Sequence, residues 1–408
     1  TSTIAKNIID PDLFANEPEV LMVANMCALM SSAVWLIVAT MCGLPVSTTH
    51  SIIGALVGCG IVAKGSSAIH WEKVWEIVIS WFTSPVLSGI LSFLLFLFVR
   101  NVILRAKNSF ERSLKFYPIL VAITFAVNIM YIIYKGTPQL GLSDTPYWLG
   151  LLISCGIGLV IGLILYFVMV PRLRTKSLNI VDEETVKTTI PAPTPAAPTD
   201  AAAASTEVAV TVPTETKVEV KKVDNVHNLL DHDVHAELKD EESKVYKIHQ
   251  NAEKFDARTE NVFSFVQVIT ATFDSFSHGA NDVANSIGPF AGVIAIYTTH
   301  HADAKSAVPI WILALGGAGI VVGLATMGYK IMASIGVNLV RVTPSRGFTI
   351  EMGAAIVVLV GSGQGIPLST THCQVGSTVG VGCLEGKEGV NWKLLIEVFV
   401  GWVVTMVV

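Results

Sequence analysis

The sequence predicts an all-α polytopic membrane protein, built as two inverted repeats with broken or re-entrant helices. Three observations predict it. The 408-residue chain has a mean hydropathy of +0.60, with 52% hydrophobic and only 14% charged residues, which is too apolar for an ordinary soluble domain. Apolar runs of about 20 residues, the length that crosses a bilayer, lie on both sides of a polar stretch. Finally, "GLPVSTTHSIIGALVG" at 43–58 returns as "GIPLSTTHCQVGSTVG" at 365–380, so that Thr48 corresponds to Thr370, and "ISWFTSP" at 79–85 faces "VGWVVTM" at 400–406 at nearly the same spacing.

Taken in order, spans are expected near 20–42, 73–99, 114–134, 147–170, 262–297, 308–329 and 392–408, the fifth long and broken. Two glycine-rich pairs, 20–42 with 45–62 and 350–363 with 366–384, fit either spans or re-entrant hairpins. The polar stretch at 172–260 holds 12 of the 27 Lys and Arg and 17 of the 32 Asp and Glu, with the low-complexity run "TTIPAPTPAAPTDAAAAS" at 188–205. Such a composition cannot bury enough apolar surface to offset its ordering entropy, so it reads as a disordered linker whose distal part, 235–254, forms a solvated helix. The chain then divides into a first transmembrane repeat (1–171), the linker (172–260) and a second repeat (261–408).

Charge orients these units. Arg100, Arg105, Lys107, Arg112 and Lys115 follow one span, and Arg172, Arg174 and Lys176 open the linker two spans later; basic loops stay in the cytoplasm, so both lie there. Working outward, the acidic segment 1–19 falls outside, whereas the counterpart segment with Lys330, Arg341 and Arg346 falls inside. The repeats are therefore inverted, the architecture of secondary transporters.

The same reading excludes other classes. Six cysteines (27, 42, 59, 155, 373 and 383) sit in apolar runs without a C-x-x-C pair, so buried free thiols are expected rather than disulfides or a zinc site. His227, His232 and His235 lie in polar linker and read as solvated. No basic stretch interleaved with aromatics points to nucleic acid.

Function is carried by polar residues at membrane depth. In "FDSFSHGANDVANSIGPF" at 273–290, Asp274, His278 and Asp282 fall on one helix face, and Gly279, Gly288 and Pro289 are where such a helix would break. An ionisable residue inside a membrane is costly, which makes Asp282 a functional candidate. Both S-T-T-H runs follow Gly-x-Pro, where a helix restarts with a hydroxyl cap; such an N-terminus is an anion site, though a lone copy reads more often as an ordinary cap, and the duplication lowers that weight. No Lys or Arg occurs in 20–63, 261–304, 306–329 or 347–386. A bound anion would then need cations for neutralisation, and amide, hydroxyl and carboxylate oxygens, including those of Asp282 and Glu351, suit Na+.

"GANDVANSIGP" at 279–289, with both S-T-T-H runs, resembles the PiT family of inorganic phosphate transporters over nearly the whole chain outside the linker. The resemblance implies an importer of inorganic phosphate coupled to Na+ or H+, integral to the plasma membrane, with a cytoplasmic linker, often a homodimer, and with no cofactor besides the co-transported ion. It implies a phosphate site of Ser47, Thr48, Thr49, Ser286, Ser369, Thr370 and Thr371, a Na+ site of Asn281, Asp282 and Asn285, and a transport carboxylate at Glu351. The family also carries a G-A-N-D-V-A-N copy before the first S-T-T-H. Here it is absent, and the chain starts without Met and stops inside an apolar run, so truncation at both ends is expected. A sulfate or other oxyanion symporter and a channel or receptor scaffold are the alternatives. An enzyme using His50 or His372 as a base lacks an acidic orienter in sequence.

Overall fold

The computed structural model describes residues 8–135, 145–178, 234–302, 308–363 and 368–407. Among them it is helical, with one isolated β-bridge between Ile9 and Ile69. Five helical stretches are long and apolar enough to cross a membrane: Pro18–Met41, Trp71–Leu104, Ser109–Ile133, Tyr147–Ser177 and Ile310–Leu339. Their outward side chains, such as Met30, Val34, Trp75, Phe167 and Ile310, are exposed. In water this would be a liability; against lipid chains it costs nothing.

The first helices are α1 (Pro18–Met41), α2 (Thr48–Lys64) and α3 (Trp71–Val99). Pro18 starts α1, where its missing N–H is no loss, and Gly43, at φ +68°, ends it. Next come α4 (Ser109–Lys135) and α5 (Tyr147–Leu178), which pack along each other. After the linker follow α6 (Lys244–Asn251), α7 (Ala257–Thr299), α8 (Ile310–Ala333), α9 (Pro344–Gly363), α10 (Thr370–Gly382) and α11 (Trp392–Val407). A π-helical turn ends both α3 (Arg100–Leu104) and α8 (Ser334–Leu339).

The internal duplication is visible in local detail. Trp71 Nε1 donates to the Ser66 carbonyl at 3.0 Å, and Trp392 Nε1, at the corresponding position of the second copy, donates to the Lys387 carbonyl at 2.9 Å. The short helices are buttressed crosswise. A Cβ on Gly54 of α2 would meet the Met406 carbonyl of α11 at 2.5 Å, and its counterpart Gly376 of α10 lies as tightly against Pro85 of α3. Only glycine permits either approach. With 13 residues, α10 is about 20 Å long, short of the roughly 30 Å hydrocarbon core. The glycine-rich pair 350–363 with 366–384 is thus not two full spans.

Several expectations need correction. The segment 262–297 is not broken: α7 runs unbroken for 43 residues with Pro289 inside it. Helix neighbours and small residues accommodate a proline in a membrane helix. The disorder expected over 172–260 does not reach its ends, since 172–178 complete α5 and 234–260 fold; 179–233, with His227, His232 and the low-complexity run, lie outside the described residues. The 235–254 helix is not solvated all round either. Val245 and Ile248 of α6 are buried, because they are the apolar face of an otherwise polar sequence. Finally, all six cysteines are free but only Cys373 is buried; Cys27, Cys42, Cys155 and Cys383 are exposed, because an apolar run in a membrane protein need not face a core.

The folded end of the linker is a strap clipped to one end of the bundle. Glu253 takes Arg100 at 2.5 Å and Arg105 at 2.9 Å, its backbone N–H donates to Glu385, and its carbonyl accepts from Arg346 at 2.9 Å. Arg346 is 1% exposed and pairs with Glu385 at 2.6 Å. Glu260 accepts from Ser345 N–H at 2.9 Å and from the Ser345 and Thr343 hydroxyls, capping α9. Partial burial alone would raise the Glu253 carboxyl, but the guanidiniums of Arg105 and Arg100 overcome it and hold it below the usual carboxylate range. With its native pKa under an unfolded value of about 4.3, the stabilisation is complete above that value and is lost as pH falls through the native one. The unfolding temperature of the detergent-purified protein should therefore drop on acidification below about pH 4.3. Glu253→Gln should lower it at neutral pH and shrink that acid-dependent drop.

Candidate functional site

The site forms where the N-terminus of α2 meets the polar middle of α7. Ser47 caps α2, its Oγ accepting from His50 N–H at 3.3 Å, and Ser369 caps α10 in the same way through His372 N–H at 3.3 Å. Both capping serines are 1% exposed. The capping reading therefore holds for each serine. It leaves the two threonines after each cap to face other groups.

In the first copy they face α7. Thr48 Oγ1 donates to Asp282 Oδ1 at 2.8 Å, and Asn285 Nδ2 donates to Thr49 Oγ1 at 2.6 Å. Asp282 and Asn285 are one turn apart, so a single face of α7 meets both hydroxyls. Asn285 is 1% exposed, too deep for water to replace a lost partner. Beside them the Asn281 amide nitrogen is buried without a partner. In the second copy Thr370 is buried, and Thr371 Oγ1 reaches the Val46 carbonyl at 3.5 Å. This links the two S-T-T-H helices through the loop that precedes Ser47.

Two predicted residues lie apart from this meeting point. Ser286 is exposed and its hydroxyl returns to the Asp282 carbonyl within α7. Glu351 of α9 is bound by the Thr270 hydroxyl and by Gln267 Nε2 at 3.4 Å. From Thr270 to Asp282 is about 18 Å along the axis of α7, so Glu351 stands apart from the Thr48–Asp282 contact. Asp274 and His278, whose Nδ1 is 3.2 Å from Asp274 Oδ1, lie between them on the face of α7 that carries Asp282. Glu351, Asp274 and His278 border a cavity of about 800 Å³ lined also by Gln374 of α10 and by Leu36 and Thr40 of α1. Sequence reasoning missed Gln267 and Thr270 as partners of Glu351. Their spacing to Asp274, one helical turn at a time, was the available signal.

The arrangement sorts donors from acceptors. Thr48 donates its hydrogen bond to Asp282, and its oxygen, the second Asp282 oxygen and the Asn285 carbonyl oxygen are the ligand type that a hard cation takes. Thr49 accepts from Asn285, so its own proton stays free to donate to an anion, as do the N–H groups that open α2.

Comparison with known proteins places the chain in one group. The profile of the Phosphate transporter family (PHO4) matches residues 1–408. Sodium-dependent phosphate transporter 1 of Xenopus tropicalis is 28% identical over 580 residues, covering 100% of this chain and 84% of that protein. Sodium-dependent phosphate transporter 2 of the same species is 29% identical over 563 residues, covering 99% and 86%. A solved structure described as "The sodium-dependent phosphate transporter" matches with a TM-score of 0.71 at 28% identity, over 99% of this chain and 80% of that one.

The α2–α7 contact is open to direct measurement. Hydrogen bonds between membrane helices are worth about 0.6 kcal/mol on average and up to about 1.7. A double-mutant cycle of Thr49→Val and Asn285→Leu, read by unfolding of the purified protein, should give a coupling within that range. A coupling of zero would mean that the two helices do not meet there.

Proposed function

This chain belongs to the phosphate transporter family, and from that premise we propose that it imports inorganic phosphate across a membrane by symport with Na+. The observation that carries the reading is the pair of contacts between Thr48 and Asp282 and between Asn285 and Thr49. They bring an anion-binding helix N-terminus and a set of hard-cation ligands into one place. Neither half suffices alone. A phosphate anion here meets no basic side chain in 20–63 or 261–304, and Na+ supplies the missing charge.

In this reading Thr49, Thr370, Thr371 and the opening N–H groups of α2 and α10 hold the phosphate oxygens, with Ser47 and Ser369 shaping those N-termini as caps. Asn281, whose buried amide nitrogen has no partner, is a further donor for the same anion in this reading. Asp282 and Asn285 supply oxygens to the cation, with Thr48 between the two ligands. Ser286 would join only after rotating away from its own helix. Glu351 is a carboxylate of the transport path rather than of the phosphate site, bordering the 800 Å³ cavity. The two repeats are inverted about this centre, and rocking of one against the other exposes it to each side in turn. The protein is a carrier rather than an enzyme, sits in the plasma membrane with its linker in the cytoplasm, and pairs as a homodimer.

Purified protein in liposomes should accumulate radiolabelled phosphate on an inward Na+ gradient, and a proton gradient should not substitute. Asp282→Asn keeps shape and one carbonyl oxygen but removes the countercharge. It should reach the bilayer in normal amounts and need at least ~10-fold more Na+ for half-maximal uptake, since a charge-assisted contact is worth about 1.5–3 kcal/mol. Overlapping Na+ curves would remove Asp282 from the cation site.

The orientation is checked separately. A protease-cleavable tag inserted at Thr199 should resist protease added to intact cells and be cut after permeabilisation; cleavage in intact cells would overturn the cytoplasmic linker and the inversion with it.

A further inference from the structure

Two histidines sit between the halves of the proposed anion site and make no hydrogen bond through their rings. His50 and His372 each end an S-T-T-H run and are 0% exposed. None of the four ring nitrogens has a hydrogen-bond partner. Their rings touch instead, edge to face, with centroids 4.6 Å apart and planes at 61°. His372 stacks on Trp402 at 3.7 Å and 27°, and His50 leans on Trp81 at 5.3 Å. Trp81 and Trp402 themselves stand at corresponding positions of the two copies, in "ISWFTSP" and "VGWVVTM". The result is a four-ring bridge, two rings from each repeat.

The bridge is tied to the ligand-facing residues at both ends. Each histidine directly follows a threonine of the site, and its backbone N–H is the one that its capping serine accepts. Trp402 Nε1 donates at 2.9 Å to the Pro45 carbonyl, in the loop that leads into Ser47. Thr371 reaches Val46 in that same loop. Burying imidazole nitrogens unpaired is costly, and a leucine or phenylalanine would fill the space without that cost. What the imidazoles offer is a short, flat ring whose N–H edge rests favourably on an aromatic face. Contact through rings this rigid fixes a distance in a way that flexible aliphatic side chains do not.

We propose that His50 and His372 are positioning residues for the transported oxyanion: their ring contact sets the separation of the α2 and α10 N-termini, and so the size of tetrahedral anion that both threonine pairs grip at once. The inference rests on the phosphate reading above. The rings touch no substrate; they act through the helices that do.

The test uses the full chain in liposomes with saturating Na+, measuring KM and maximal uptake for phosphate and for the slightly larger arsenate, normalised to inserted protein. His50→Ala and His372→Ala should raise the phosphate KM about tenfold or more, the cost of one misplaced hydrogen bond to a charged group, while maximal uptake changes little. The ratio of arsenate KM to phosphate KM should fall as the grip loosens. The double variant should be no worse than the more severe single, because both act through one contact. His50→Phe and His372→Phe keep a ring, insert where the alanine variants fail, and should shift the same ratio by altering the spacing. Variants that insert and keep both KM values within twofold of wild type would reduce the bridge to packing, while Thr370→Val with Thr371→Val still raised the phosphate KM. Wild-type protein that takes up no phosphate would overturn this inference and the functional reading together.

Discussion

Inside a bilayer a hydrogen-bonding group has no water to fall back on, and the internal polar architecture of this protein depends on that constraint. Asp282, Asn285, Thr48 and Thr49 are polar groups at a depth where each must be answered by protein or by cargo. They answer one another across two helices, at 2.8 and 2.6 Å, and by doing so bring the N-terminus of α2 against the middle of α7. What remains unanswered is equally informative. In the proposed reading the N–H groups at two helix starts take an anion, and oxygens of Asp282 and Asn285 take a cation. Such a site would be incomplete for each ion alone and complete for both, because binding one ion supplies the charge that the other requires.

Close backbone approach makes the site possible. The short helices α2 and α10 cannot hold their position through large apolar side chains, because glycines fill the faces where α11 and α3 cross them. Each short helix therefore leans on a helix of the other repeat, and the aromatic bridge of His50, His372, Trp81 and Trp402 lies in the same crossing. The four serines of α3, at 80, 84, 88 and 92, are buried along that seam, and Ser88 donates to the Cys373 carbonyl at 2.8 Å. Small residues give packing between membrane helices where the hydrophobic effect does not help.

At the end of the bundle the rule is reversed, because water is near and charge is tolerated. There the strap from the linker is held by Arg100, Arg105 and Arg346 against Glu253 and Glu385. Arg346 also lies over the rings of Phe96 and Phe255 at 5.4 Å, which shelters a buried guanidinium on both its ionic and its flat faces. These pairs join α3 of the first repeat to α9 and the end of α10 in the second. The chain between the repeats is thus clipped to both of them.

Much of this was legible in the residues. The apolar runs located the starts of five spanning helices within about five residues, since hydrophobic length is a property of sequence alone; the expected spans 262–297 and 392–408 are helical but are not among those five. The S-T-T-H duplication located both helix starts, because a serine after Gly-x-Pro caps the same way wherever it sits. Asp282 stood out because a carboxylate in an apolar run is costly in any fold. Long-range packing decided the rest. Gly288 and Pro289 suggested a broken helix, yet α7 runs through them, for a proline breaks a helix only where its neighbours do not support it. The 235–254 stretch looked solvated, yet Val245 and Ile248 found a surface to bury against. Glu351 was recognised as a carboxylate of interest, but its distance from Asp282 and its bonds to Gln267 and Thr270 depend on how α9 lies along α7. Sequence determines which groups must find partners, through local propensity and the cost of burying them. Only the tertiary structure decides which partners they find, because that choice is made between helices far apart along the chain.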